Sequence, residues 1–146
     1  MKISTKGRYA LRLMLDLALS GSDNPVPLRD VAKRQEISDK YLEQIVTPLS
    51  KAGLVRSVRG AGGGYLLTRD PSAYTVGQIL RPLEGSLAPV SCVDGVDCCQ
   101  RAGQCVTLEV WRDIQQAVSS VVDHTTLADL VERHHQKSAQ MSPIAR

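Results

Sequence analysis

The apolar residues in the first half of the chain recur every three or four positions, a spacing that predicts three short helices. Ser4 or Thr5 can cap the first helix, which would end at Gly21. Ser38 is a good N-cap for the third, because its hydroxyl can accept a hydrogen bond from a free backbone N–H, and Gly53 would end that helix. The buried faces would be Leu11, Met14, Leu15, Ala18 and Leu19; Leu28, Val31 and Ala32; and Leu42, Ile45, Val46 and Leu49.

The pattern changes after the third helix to two short apolar segments that flank a glycine-rich stretch. Residues 54–59 and 65–67 predict two strands, and four glycines among residues 60–64 predict a flexible tip between them. Three helices followed by a hairpin is the order of a winged helix-turn-helix domain. The predicted fold class is therefore mainly α, with a winged helix-turn-helix DNA-binding domain, a small β-hairpin wing and a long C-terminal dimerisation helix.

The second half of the chain predicts three more helices. Thr75 and Gln78 form a capping box for a short helix that ends before Gly85. A long helix from Val106 to near Asp123 has an apolar stripe that needs a partner, either its own domain or a second copy of the chain. A last short helix, capped by Thr126, would run from Leu127 to about His134. We therefore expect a winged domain at 1–85, a cysteine-rich cluster-binding loop at 86–105, the dimerisation helix and final helix at 106–137, and a flexible tail at 138–146.

Composition supports a helical fold with a basic first half. The chain is 42% hydrophobic but has no Phe, so its core must be built mainly from Leu, Val, Ile and Ala. Residues 1–70 hold twelve Lys or Arg against seven Asp or Glu, a net charge of +5, whereas residues 71–146 hold six against eight, a net charge of −2. The first half is thus the half that would face a polyanion.

The four cysteines lie within fourteen residues, in a loop rich in Gly and Asp: Cys92, Cys98, Cys99 and Cys105. Thiolates gathered in one loop suit convergence on iron or zinc. The start of the chain has no clear export signal, because Arg12 and Asp16 interrupt its apolar stretch, and no segment predicts a membrane span. We therefore expect a soluble, cytoplasmic protein with reduced, metal-binding cysteines rather than disulfides.

The third helix and the hairpin present residues suited to DNA. The second helix of a helix-turn-helix pair enters the major groove, and the candidate contacts on it are Ser38, Lys40, Tyr41, Glu43 and Gln44. An ordinary solvated helix face would have the same composition, but the hairpin favours DNA, since it adds Arg56, and Arg59 beside Gly60 is placed to enter a minor groove. The glycines lack the Lys-Ser/Thr ending of a phosphate-binding P-loop, and no catalytic set indicates an enzyme.

Several short motifs match a known family. They are KISTKGRY at 2–9, YLEQ at 41–44, AGLV at 52–55, RG at 59–60, GGYLL at 63–67, and the cysteines followed by WRD at 111–113. Together they resemble the Rrf2 family of transcription regulators over residues 1–132, most closely its iron-sulfur cluster regulator branch. The segments TPL at 47–49 and LEGS at 83–86 are also similar to the cysteine-metabolism repressor branch, whose members lack the cysteine loop.

The resemblance implies a homodimer built on the long helix after the cysteines, with paired reading heads on palindromic double-stranded DNA. It implies a 2Fe-2S cluster on the thiolates Cys92, Cys98 and Cys105, with a fourth ligand that is not cysteine. It also implies DNA contacts at Ser38, Tyr41, Glu43, Gln44 and Arg59.

Two departures from the family pattern leave the ligand set open. The pattern has five residues between successive cysteines, whereas six lie between Cys98 and Cys105 and five between Cys99 and Cys105, so either of the adjacent pair can be the middle ligand. The pattern also places a His where this chain has Leu108. The spare cysteine and Glu109 are the neighbouring candidates for the fourth ligand.

The leading hypothesis is a DNA-binding regulator, a repressor, whose affinity or site choice is controlled by a bound iron-sulfur cluster. The alternatives are an Rrf2-type regulator of cysteine and sulfur metabolism or of the nitric oxide response, and a DNA-binding protein with structural zinc.

Overall fold

The helices and the hairpin follow each other in the predicted order. The computed structural model describes residues 1–95 and 99–141. Within these residues the elements are α1 (Thr5–Leu19), α2 (Leu28–Gln35), α3 (Asp39–Lys51), β1 (Val55–Val58), β2 (Gly64–Leu67), α4 (Val76–Glu84), α5 (Val106–Val122) and α6 (Leu127–Met141). Short 3₁₀ turns lie at Pro71–Ala73 and Ser91–Val93. The predicted fold class, mainly α with a winged helix-turn-helix, is confirmed.

The predicted helix caps are present. The Ser38 hydroxyl accepts a hydrogen bond from the Tyr41 backbone N–H at 3.2 Å, and Ser4 caps α1 in the same way. In the capping box of α4, the Thr75 backbone N–H donates to Gln78 Oε1 at 3.1 Å, and the Gln78 N–H donates to the Thr75 hydroxyl at 3.2 Å. Helices α1, α3 and α4 therefore begin where their local chemistry predicts.

Helices α1–α4 and the hairpin together form a unit that we call the head. Its core lies between α1, α3 and the base of the hairpin, and it includes one buried tyrosine. Tyr74 is fully buried. Its hydroxyl donates to the Leu54 carbonyl at 2.8 Å and accepts from the backbone N–H groups of Thr68 and Arg69 at 2.8 and 2.9 Å. These bonds join the two ends of the wing to the core. The largest fully buried apolar side chains around it are Leu13, Met14, Leu17, Leu42, Ile45, Leu49 and Ile79.

The wing is a two-stranded antiparallel hairpin whose register runs from Val55 opposite Leu67 to Val58 opposite Gly64. Val26 extends the pairing, because its N–H and carbonyl each bond the backbone of Tyr65 at 2.9 Å. The wing is therefore attached to the segment that precedes α2.

The chain leaves the head after α4 and returns to it at α6. The Val76 N–H donates to the Thr125 carbonyl at 2.9 Å, and the Leu127 N–H donates to the Tyr74 carbonyl at 3.0 Å. Leu127 is fully buried in the core of the head. These bonds join the residues just before α4 to those just before α6, so the chain returns beside the start of α4 after it has passed through the cysteines and α5.

An ion pair reinforces this junction. The Arg81 guanidinium on α4 holds both oxygens of Asp123, the residue that follows α5, at 2.6 and 3.0 Å. These hydrogen bonds lower the pKa of the Asp123 carboxyl. The C-terminal end of α5 is thereby fixed to the head, with Val118 and Val122 packed on the small apolar cluster of α4.

The last helix is longer than predicted. It begins at Leu127 as expected but continues to Met141, so its predicted end near His134 is wrong and residues 138–141 of the expected tail are helical. Residues 135–141 contain no Gly or Pro, and the Gln136 amide donates to Glu132 at 2.9 Å one turn earlier. Residues 142–146 of that tail lie outside the described residues.

Candidate nucleic-acid interface and cysteine segment

The exposed face of α3 carries the residues that were expected to contact DNA. Leu42, Ile45, Val46 and Leu49 form its buried face, and helical periodicity therefore places the other positions outward. Ser38, Lys40, Glu43 and Gln44 are exposed, and Tyr41 is half-buried. Their exposure is as predicted, while the contacts themselves stay predictions.

A buried carboxylate on α1 fixes the turn that leads into α3. Asp16 is only 5% exposed and accepts bonds from Arg34 at 2.6 and 3.1 Å and from the Gln35 amide at 2.9 Å. Because a buried charge needs such partners, removing them would leave it unpaired at considerable cost. Immediately after these residues Glu36 adopts φ 55°, a left-handed conformation that reverses the chain toward Ser38.

The wing presents arginines beside a tip that has almost no side chains. Arg56 and Arg59 are exposed, and Gly60 has φ 110°, which favours glycine. The Gly63 N–H closes the tip on the Gly60 carbonyl at 3.0 Å, and a Cβ at Gly63 would come within 2.2 Å of the Val58 carbonyl oxygen. The tip can therefore approach a groove closely with its backbone.

The three cysteines that the structure describes form no disulfide with one another, and two of them lie in or next to a helical element. Cys92 is exposed in the 3₁₀ turn Ser91–Val93, Cys99 is half-buried, and Cys105 is the residue immediately before α5. Cys98 lies outside the described residues, so the choice between Cys98 and Cys99 stays open.

Cys105 lies where its thiolate is stabilised. Its Sγ is 3.3 Å from the Thr107 hydroxyl, and this contact, followed by the backbone N–H of Leu108, lowers the pKa of the thiol. The N-terminal end of a helix also favours negative charge. These contacts stabilise the thiolate, which is the form of cysteine that binds metals.

The neighbouring candidates for a fourth ligand differ in exposure. Leu108 is 3% exposed and is the one fully buried side chain of α5, whereas Glu109 beside it is exposed. Among residues 1–95 and 99–141 no three His, Cys, Asp or Glu side chains are grouped as a metal site. The cysteines nevertheless suit a metal that prefers sulfur ligands, since the segment contains four thiols and the pKa of Cys105 is lowered.

The apolar stripe of α5 is largely uncovered. Val106, Val110 and Val121 are exposed, by 75%, 52% and 62%. A groove of about 470 Å³ runs along the helix, lined by Met1, Ile3, Leu80, Ile114, Ala117, Val118, Val121 and Val122. Val118 and Val122, near the C-terminal end of α5, pack on the apolar cluster that includes Val76 and Leu80 of α4. None of the helices in the described part of the chain has the length and apolar character needed to cross a membrane.

Sequence reasoning missed the residues of α1 that face the helix-turn-helix. Tyr9, Arg12 and Asp16 lie three and four residues apart on one face and contact α2 and α3. The signal was present, because this spacing interrupts the apolar pattern of α1 with polar and aromatic groups on a single side.

Comparison with known proteins identifies the family. The model of the Rrf2 family, described as an iron-dependent transcriptional regulator, matches residues 3–133. The HTH-type transcriptional regulator IscR of Yersinia pseudotuberculosis is 47% identical over 131 residues, which cover 90% of this chain and 79% of the relative. IscR of Serratia proteamaculans is 45% identical over the same coverage.

Solved structures agree in fold. The structure of CymR, the global cysteine regulator of B. subtilis, matches with a TM-score of 0.78 at 44% identity, covering 91% of this chain and 98% of that one. T. potens IscR matches with a TM-score of 0.76 at 42% identity, covering 99% and 94%. The chain therefore belongs to the Rrf2 family of DNA-binding transcriptional regulators, is similar to IscR, and is not an enzyme.

Proposed function

We propose that this protein is a repressor whose binding to operator DNA is controlled by an iron-sulfur cluster, of the 2Fe-2S type, held by the cysteine segment. The observation that supports this most is the place of the thiols. They lie between the DNA-reading head and α5, and Cys105, whose thiolate is stabilised, directly precedes that helix. A ligand bound there would act on the connection between the two parts.

The proposed ligands are Cys92, Cys105 and one of the adjacent pair Cys98 and Cys99. The fourth is either the remaining cysteine or Glu109, whose exposed carboxylate lies in the first turn of α5. When bound, the cluster would supply a centre that changes charge with redox state and is lost when iron or sulfide is scarce.

The head would read DNA with two elements. Exposed Glu43 and Gln44 on α3 suit base edges in the major groove, and Ser38, Lys40, Tyr41 and Arg56 suit phosphates or further edges. Arg59, beside the glycine tip, suits the negative potential of a minor groove. A protein that reads DNA in this way would act in the cytoplasm.

The uncovered stripe of α5 supports a homodimer. One side of α5 combines an apolar groove with strongly exposed valines. Exposed apolar patches of this kind commonly mark a protein interface, and a second copy of the chain can cover this one with its own α5. Two heads related by a two-fold axis would then read a palindromic operator. The division into a head at 1–85, a ligand segment at 86–105 and a dimer unit at 106–137 is part of this proposal.

The cysteine segment can couple cluster and DNA through α5. Leu108 is buried and α5 contacts the turn that contains Cys92, while the end of α5 is fixed to the head by Arg81 and Asp123. Ordering this segment would therefore set the direction of α5 relative to α3. In a dimer that direction fixes the separation of the two reading heads, and hence which operators fit.

A second candidate is a regulator of cysteine and sulfur metabolism. It is favoured by the similarity to CymR, which has the higher TM-score of the two solved structures described above. In that case the cysteines would hold structural zinc or act as thiols, and DNA binding would not follow iron.

Anaerobic purification with measurement of iron, sulfide, zinc and the visible spectrum tests the proposal. We expect iron and sulfide in equal amounts in the wild type, their loss in Cys92→Ala and Cys105→Ala, and their loss in only one of Cys98→Ala and Cys99→Ala if Glu109 is the fourth ligand. Loss of iron and sulfide in both of these variants would instead indicate that all four cysteines are cluster ligands. Cluster-loaded and apo protein should then differ in affinity for at least one operator. A colourless, zinc-containing wild type, or equal binding of both forms at every operator, would refute the iron-sulfur function.

A further inference from the structure

One face of α1 is directed at the helix-turn-helix and contacts both of its helices. Arg12 reaches the end of α2, where its Nε donates to Gln35 Oε1 at 2.9 Å and its Nη2 donates to the Gln35 carbonyl at 2.8 Å. Gln35 is the last residue of α2. The guanidinium therefore satisfies a carbonyl that has no partner within the helix, and its charge lies at the negative end of the helix dipole.

The same guanidinium contacts α3 through an aromatic ring. Its central carbon lies 5.1 Å from the centre of the Tyr9 ring, a cation–π contact, and the Tyr9 ring meets the Tyr41 ring edge-on at 5.9 Å and 89°. Tyr41 lies in the first turn of α3 and its N–H is the group that Ser38 caps. A continuous series of contacts thus runs from Gln35 through Arg12 and Tyr9 to Tyr41.

This series spans the one strained point of the turn. Glu36, between Gln35 and the start of α3, has φ 55°, a left-handed conformation that non-glycine residues rarely adopt. Such a conformation persists where surrounding contacts determine it. Arg12 has no acidic partner among the residues that the structure describes, so its contacts are with this turn and with Tyr9.

We propose that Arg12 is a positioning residue for DNA recognition, which sets the direction of α3 through Gln35 and Tyr9 without touching DNA itself. This inference rests on the proposed reading of DNA by α3. Two nitrogens of this exposed side chain donate to Gln35 and its central carbon lies over the Tyr9 ring, so the contacts of the guanidinium assign it to the turn. Its effect should reach DNA chiefly through Tyr41.

A double-mutant cycle between Arg12 and Tyr41 tests this. The probe is the DNA duplex that anaerobically purified wild type binds most tightly from a randomised pool, and iron content is matched between variants. We expect Arg12→Ala to weaken binding by about tenfold in the wild-type background but by less than about twofold in a Tyr41→Ala background, because residues in one network are not additive. The salt dependence of binding should be unchanged, since no phosphate contact is lost.

Three further variants separate positioning from charge and from folding. Arg12→Lys keeps the charge but cannot bridge two acceptors with a planar fork, so it should also weaken binding. Tyr9→Leu removes the ring that carries the contact from Arg12 to Tyr41 and should weaken binding as Arg12→Ala does. Arg133→Ala removes the same charge from an exposed site on α6 and should leave affinity unchanged. If Arg12→Ala does not fold, Arg12→Lys takes its place in the cycle.

The outcomes distinguish failure of this inference from failure of the proposed function. Equal losses from Arg12→Ala in both backgrounds, or a salt slope reduced by about one unit as for a lost phosphate contact, would overturn the positioning role. A wild type that selects no duplex, or full affinity in Gln44→Ala and Glu43→Ala, would instead overturn the reading of DNA by α3.

Discussion

Removal of the Tyr74 hydroxyl should destabilise the head without leaving a cavity. Tyr74→Phe deletes a hydroxyl that makes three hydrogen bonds of 2.8–2.9 Å to the backbone of Leu54, Thr68 and Arg69, and a longer one of 3.1 Å with the Thr68 hydroxyl. Each is worth about 1 kcal/mol net. Thr68 and Arg69 are exposed, so their N–H groups can turn to water, and the Leu54 carbonyl keeps a weaker contact with Thr68 at 3.3 Å. We therefore expect a loss of about 2 kcal/mol in the free energy of unfolding.

Urea denaturation at a fixed protomer concentration measures this loss as a lower midpoint with an unchanged m-value. The melting temperature should fall by roughly 4–8 °C. Tyr65→Phe is the matched control, because Tyr65 is half-buried in the wing and its hydroxyl makes no hydrogen bond within the described residues. It should stay within about 0.5 kcal/mol of wild type. If Tyr74→Phe loses no more than this control, the argument that the hydroxyl holds the wing base is refuted.

Three other predictions follow from single contacts. The hydrogen bonds from Arg81 lower the pKa of Asp123, and at this half-exposed pair they stabilise the folded state by about 1 kcal/mol. This stabilisation is present above the pKa of Asp123 in the unfolded chain and is lost as the pH falls through its lower pKa in the folded protein. Asp123→Asn should therefore remove this part of the acid dependence of the melting temperature, measured in melting curves over a range of pH. Gly63→Ala should reduce operator affinity because its Cβ would meet the backbone of β1, whereas Gly62→Ala, with open space around its Cβ, should bind like wild type; equal affinities in gel-shift titrations would contradict this. Ser38→Ala should cost about 1 kcal/mol in urea denaturation through loss of the helix cap, and Ser38→Gly only a few tenths.

Much of the head could be predicted because its signals are local. Ser38 and the pair Thr75 and Gln78 satisfy backbone groups within three residues of themselves, so their roles follow from sequence alone. The hairpin is similar, since short apolar segments on both sides of clustered glycines have few other solutions. These are the parts of the fold where the prediction and the structure agree.

The contacts that hold the helices together could not be predicted in this way. Tyr74 bonds a carbonyl twenty residues away, and Arg81 pairs with Asp123 forty-two residues away. No periodicity within one helix selects such partners. The end of α6 was missed for a different reason, because polar helix formers after His134 continue a helix although they add no apolar stripe.

The cysteine segment shows what spacing can and cannot supply. Four thiols in fourteen residues indicate a soft metal, but spacing leaves the middle ligand undecided between Cys98 and Cys99. Stabilisation of the Cys105 thiolate depends on the Thr107 hydroxyl and on the start of α5. That geometry is a property of the folded helix end, and it strengthens the chemical case for Cys105 as a ligand beyond what counting residues allowed.

The backbone bonds that join residues 74–76 to residues 125–127, together with the packing of α4 in the head, bring both ends of the cysteine segment and α5 to one base. These bonds involve no residue of the cysteine segment or of α5, so that part of the chain can change in sequence while the joined base is kept. The seventeen residues of α5 span about 25 Å. In the proposed regulator, a small rotation at the cysteine end of this helix would therefore change its angle at the base while the head keeps its shape.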